Sequence, residues 1–108
     1  MSISLLTQDD AITIQLDKEF TFHHQGDFRQ AYERNINGLT KSIFVDFGKT
    51  DFIDSAALGM LLILREYIEK HGQAISIKLI NCKKEVLEIL EISNFAKLFS
   101  IQNSTSGK

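Results

Sequence analysis

Between Ile43 and Leu64 the chain passes from a run of branched and aromatic residues, through a short polar break, into a strongly apolar stretch. Ile43-Phe44-Val45-Asp46-Phe47 has the composition of a buried strand, and the residues from about Ala56 have the length and pattern of a helix. A buried strand that leads almost directly into an apolar helix must share a core with it, which points to a layered α/β domain. Asp54 and Ser55 stand at the helix entrance. A short side-chain oxygen there can accept from the first helical N–H groups, which have no partner in the helix. The same N–H groups and the helix dipole also favour a phosphoryl group. On these residues alone Ser55 reads either as a cap or as an acceptor of phosphate.

The rest of the chain can be placed around this stretch. Ile3 to Leu6 and Ala11 to Leu16 read as two short strands joined by a polar turn at Gln8-Asp9-Asp10, hence a hairpin. Residues 17 to 26 read as a loop. Asp27 with Gln30 three residues on is a variant capping box, and Phe28, Ala31 and Tyr32 recur at helical spacing, so the first helix is expected from Asp27 to about Asn35. The central strand is expected over Ser42 to Phe47, with Phe52 and Ile53 against the same sheet. The second helix is expected from about Ala56 to His71, stopped by Gly72. Ala74 to Ile80 reads as a strand and Lys83 to about Glu91 as a third helix broken by Ser93-Asn94. A further helical turn over Phe95 to Leu98 and a short edge strand over Phe99 to Ile101 complete the expectation. This order predicts one α/β domain over residues 1–101 with a mixed sheet of four to five strands and helices mainly on one side, followed by a disordered tail over 102–108.

The first half of the second helix is apolar nearly all round: Ala57, Leu58, Met60, Leu61, Leu62, Ile63 and Leu64 leave no polar face. Packing on one layer buries one side of a helix. The other side must meet a second helix or a partner, so Met60 and Ile63 are candidates for an outward contact.

Composition narrows the classes of function. Twelve Lys and Arg are scattered among 14 Asp and Glu for a formal net charge of -2, with no basic stripe for nucleic acid. The longest apolar run is too short to span a bilayer and no signal segment is visible, so a cytoplasmic protein without direct membrane insertion is expected. Cys82 is the sole cysteine and reads as a buried structural thiol, which excludes an internal disulfide. His23 and His24 are adjacent rather than at ligand spacing and read as loop residues. Phosphate-binding glycine loops and the Gly-x-Ser-x-Gly nucleophile turn are missing, so the sequence predicts no enzyme, no catalytic residues, no metal and no cofactor.

Phe52-Ile53-Asp54-Ser55-Ala56-Ala57-Leu58-Gly59-Met60-Leu61-Leu62 resembles the signature of STAS-domain anti-sigma factor antagonists, a hydrophobic pair followed by Asp-Ser-Ser/Thr-Gly/Ala-Leu-Gly. The resemblance implies a STAS fold and a regulatory domain that binds an anti-sigma factor, a serine kinase or a related partner. Phosphorylation of a motif hydroxyl would switch that binding, and a phosphatase would reverse it. Ala56 stands where many members carry a second hydroxyl, which leaves Ser55 as the one acceptor in the motif. Together with the apolar candidates Met60 and Ile63, the expected partner surface comprises Asp54, Ser55, Ala56, Leu58, Gly59, Met60 and Ile63, and a monomer is expected. The alternative implied by the same family is a constitutive, unphosphorylated subunit of a membrane transport assembly.

Overall fold

The computed structural model describes residues 3–71 and 74–102. Strands β1 (Ile3–Gln8) and β2 (Ala11–Leu16) form an antiparallel hairpin whose turn places Asp9 at φ 55, a left-handed conformation that Asp tolerates better than most residues. The short β3 (Glu19–Phe20) and a 3-10 turn (Phe22–His24) lead into α1 (Gln25–Glu33). Then come β4 (Ser42–Asp46), β5 (Phe52–Ile53), α2 (Ser55–Lys70), β6 (Ser76–Ile80), α3 (Lys84–Ile92), a second 3-10 turn (Phe95–Lys97) and β7 (Ser100–Gln102). The main sheet has five strands in the order β1-β2-β4-β6-β7; only β1 runs antiparallel to its neighbour.

Alternation along the strands sorts the sheet into two faces. Ile14, Val45, Leu79 and Ile101 lie side by side in register, and Ile12, Leu16 and Ile43 share their side. These residues form one cluster with Phe28 and Tyr32 of α1, Leu61, Leu64 and Ile68 of α2, and Val86 and Leu90 of α3. The opposite row, Leu6, Thr13, Phe44, Lys78 and Ser100, is left open, with the Lys78 ammonium 5.7 Å from the centre of the Phe44 ring. The sheet is thus covered by helices on one side, as the pattern predicts.

Several local expectations need correction. Residues 17–26 are not all loop: Glu19 and Phe20 pair in parallel with Phe52 and Ile53, which therefore form a separate two-stranded sheet and do not join the main one. Helix α1 begins at Gln25 rather than Asp27, because the turn before it is held by His24, whose Nδ1 accepts from the Thr21 N–H at 3.1 Å. Asp27 sits inside the first turn, where its charge suits the dipole but caps nothing. Helix α2 starts at Ser55, one residue earlier than expected, and ends at Lys70 with His71 as its C-cap; Gly72 lies outside the described residues. Helix α3 is shifted by one residue, and Asn94 at φ 62 closes the turn after it. Gln102, the first residue of the tail expected over 102–108, pairs with Ile80 and so belongs to the sheet, while residues 103–108 lie outside the described residues.

Candidate functional site at the entrance of the second helix

The segment between β4 and α2 is tied down at both ends and in the middle. Asp46 Oδ1 accepts from the Gly48 N–H at 2.8 Å and from Asn81 Nδ2 at 3.2 Å, joining the ends of the adjacent strands β4 and β6. A Cβ on Gly48 would stand 3.0 Å from that carboxylate oxygen, so a larger residue there would push the Asp46 side chain aside. Thr50 is fully buried and donates through Oγ1 to the Asp17 carbonyl at 2.7 Å. Asp51 is exposed and meets Lys83 Nζ at 2.7 Å; that hydrogen bond and the ammonium charge hold its carboxyl below the usual carboxylate range. The loop reaches α2 with little freedom left.

Asp54 caps that helix. Its Oδ1 accepts from the Ala57 N–H at 2.9 Å, and its Oδ2 accepts from the Phe22 N–H at 3.1 Å. One carboxylate therefore satisfies a helix N-terminus and anchors the 3-10 turn from the other side of the first crossover. Ser55 is the first helical residue and is exposed. Of the two residues that the sequence offers as a cap, the structure assigns the role to Asp54 and leaves the Ser55 hydroxyl at the surface.

The helix then divides by face. Ala57, Met60, Leu61, Leu64 and Ile68 are buried, whereas Ser55, Leu62, Ile63 and Glu66 are exposed and Gly59 has open space where a Cβ would point. Ala56 and Leu58 are half-buried, Leu58 against the core. Met60 is only 5% exposed and lies with Phe28 and Tyr32 along a groove of about 40 Å³ between α1 and α2. It is a core residue, which corrects its expected outward role: α1 is the second helix that the excess of apolar residues required. Ile63, at 47%, keeps the outward position.

Two exposed aromatics flank the entrance and were not legible as site residues. Phe22 is 61% exposed and bound through its N–H to Asp54; Phe52 is 53% exposed on β5, three residues before Ser55. Phe22 falls in a stretch that reads as loop, where no period marks it, and Phe52 reads as a residue set against the main sheet. With Leu62 and Ile63 they give the neighbourhood of Ser55 an apolar character that suits contact with another protein.

The remaining candidates are accounted for locally. Burial, and next the nearby Asp46 charge, push the Cys82 thiol up to about 12, so it is protonated and unreactive at neutral pH. His23 stands at the surface beside Phe22, its ring 6.1 Å from the phenyl ring. Among the described residues no group of three or more His, Cys, Asp or Glu is placed to hold a metal ion, and no helix is long and apolar enough to cross a membrane.

Comparison with known proteins agrees with this architecture. The STAS domain family model matches residues 2–107. A STAS-domain containing protein of Pseudomonas aeruginosa strain UCBPP-PA14 is 43% identical over 103 residues, covering 94% of this chain and 99% of that protein. A putative anti-sigma factor antagonist from Thermotoga maritima superposes with a TM-score of 0.79 at 20% identity, covering 96% of this chain and 87% of the other. The anti-sigma factor antagonist SpoIIAA in its unphosphorylated form gives 0.72 at 19% identity, with 96% and 90% covered. The phosphorylated form of SpoIIAA, described as a Bacillus cell fate determinant, gives 0.68 at 18% identity, with 97% and 93% covered. The five-stranded mixed sheet with helices on one face is the fold of these antagonists, and the chain belongs to the STAS domain family.

Proposed function

We propose that this domain is a regulatory protein of the anti-sigma factor antagonist type, a binding module rather than an enzyme. Its entrance to α2 docks on an anti-sigma factor, a serine kinase or a related partner, and phosphorylation of Ser55 weakens the complex until a phosphatase removes the group. The observation that carries this reading is the exposure of Ser55, the motif's one hydroxyl, in the first turn of α2 with Phe22, Phe52, Leu62 and Ile63 exposed nearby. A phosphoryl group there adds about 1.5 to 2 negative charges next to Asp54, on a surface whose other contacts are apolar. Repulsion and desolvation both oppose docking. SpoIIAA, which shares the fold, is known in a phosphorylated form.

The test is an intact-mass measurement on the protein recovered from its own cells, followed by partner affinity with and without stoichiometric phosphate on Ser55. The expected result is a phosphate on the peptide that holds Ser55 and a weaker complex when it is present. Equal affinity in both forms would remove the switch and leave a constitutive subunit, as in a membrane transport assembly.

A further inference from the structure

Strand β1 is an edge strand with none of the usual protections. Proteins guard such edges with charge, proline, a bulge or brevity, because unpaired N–H and C=O groups invite another strand. Ile3-Ser4-Leu5-Leu6-Thr7-Gln8 carries no charge and no proline, and its six residues pair with β2 without a bulge. The opposite edge, β7, has only three residues. Beside β1 runs a groove of about 240 Å³ between the inner face of the strand, at Ile3 and Leu5, and the flank of α1 that carries Asp27, Gln30, Ala31 and Arg34.

The geometry points to a second copy of this chain as the occupant: a two-fold dimer in which two β1 strands pair antiparallel. The feature that selects a second copy is the self-complementarity of the charges. Asp27, in the first turn of α1, and Arg34, its C-cap residue, are exposed beside the same groove, and neither forms an ion pair among the described residues. A two-fold axis passing between Gln30 and Ala31 brings Asp27 of each copy toward Arg34 of the other. Along β1, an axis through Leu5 sets Leu5 opposite Leu5, Ile3 opposite Thr7 and Ser4 opposite Leu6. That register keeps the helix-covered faces of both sheets together, whereas a slip of one residue would set a covered face against an open one. Ile3 and Leu5 line the groove with Asp27, Gln30, Ala31 and Arg34, and Thr7 lines a second hollow with Arg34 and Asn35, so the C-terminal end of β1 lies toward the Arg34 end of the flank. One axis therefore satisfies the strand and the helix at once, as an isologous interface requires. The monomer expected from the sequence is the dissociated form.

The contact is small, which places the expected dissociation constant on the order of 10⁻⁵ to 10⁻⁴ M and makes it weaker as salt is raised. Sedimentation equilibrium over a concentration series should show the dimer. Asp27→Arg alone and Arg34→Asp alone should each weaken it about tenfold by setting like charges opposite each other, and the double variant D27R/R34D should return it to within about threefold of the parent. Native hydrogen exchange on the parent protein should show β1 amides gaining protection as concentration rises. A protein that stays monomeric up to about 1 mM overturns the proposal. So does a dimer that ignores both charge reversals and leaves the β1 amides unprotected, since it would be built on another face.

Discussion

At the scale of single residues the helix entrance separates two roles that the sequence leaves joined. Asp54 holds the cap and the link to Phe22, while Ser55 holds neither. Asp54→Ala should therefore cost about 1 to 2 kcal/mol in urea unfolding, and Ser55→Ala only a few tenths. Asp54→Ser is the informative third variant. Serine can still accept from the Ala57 N–H, but a single hydroxyl cannot also serve Phe22, so stability should largely persist while the Phe22 amide loses protection in hydrogen exchange. Cys82 offers a pH test. Its thiol is raised from 9.0 to about 12, so the unfolded chain ionises first; the stability it carries is complete below about pH 9 and is lost as pH climbs through 12. A thiol reagent at pH 8 should leave Cys82 unmodified in the folded protein and label it fully in denaturant.

At the scale of elements, the hairpin, the central strand and the third helix were legible because each follows one period for long enough to be recognised: Ile12, Ile14 and Leu16 alternate, and Val86 and Leu90 recur one turn apart. The β3–β5 pair was not, since two residues make no period and the partners Phe20 and Ile53 are far apart in sequence. The phase of α2 was equally hidden. A stretch apolar on all sides does not say which side α1 will cover, and only the packing of Phe28 and Tyr32 fixes Met60 inward and Ile63 outward. Met60→Lys should accordingly bury a charge and cost about 3 kcal/mol or more, seen as a large drop in melting temperature. Ile63→Lys should melt close to the parent yet bind the partner less well. If both variants unfolded, the contact surface would lie elsewhere.

For the whole molecule the helices cover one face of the sheet and leave the other to solvent, and two leucines measure the difference. Leu79 is fully buried on the covered side and Leu6 is 55% exposed on the open side. Leu79→Ala should cost about 2 to 5 kcal/mol and Leu6→Ala less than about 1, both read from chemical unfolding. Far-ultraviolet dichroism and tyrosine fluorescence should trace the same transition, because the core is one cluster. The bond from the Phe22 N–H to Asp54 joins residues 32 apart in the chain, a span like that of the parallel pairing of Ala11 with Ser42, so closing it carries a similar loop-closure cost. The exposed residue Phe22 is thus tied to the entrance of α2 by a long-range contact, which belongs to the finished domain and not to a local turn.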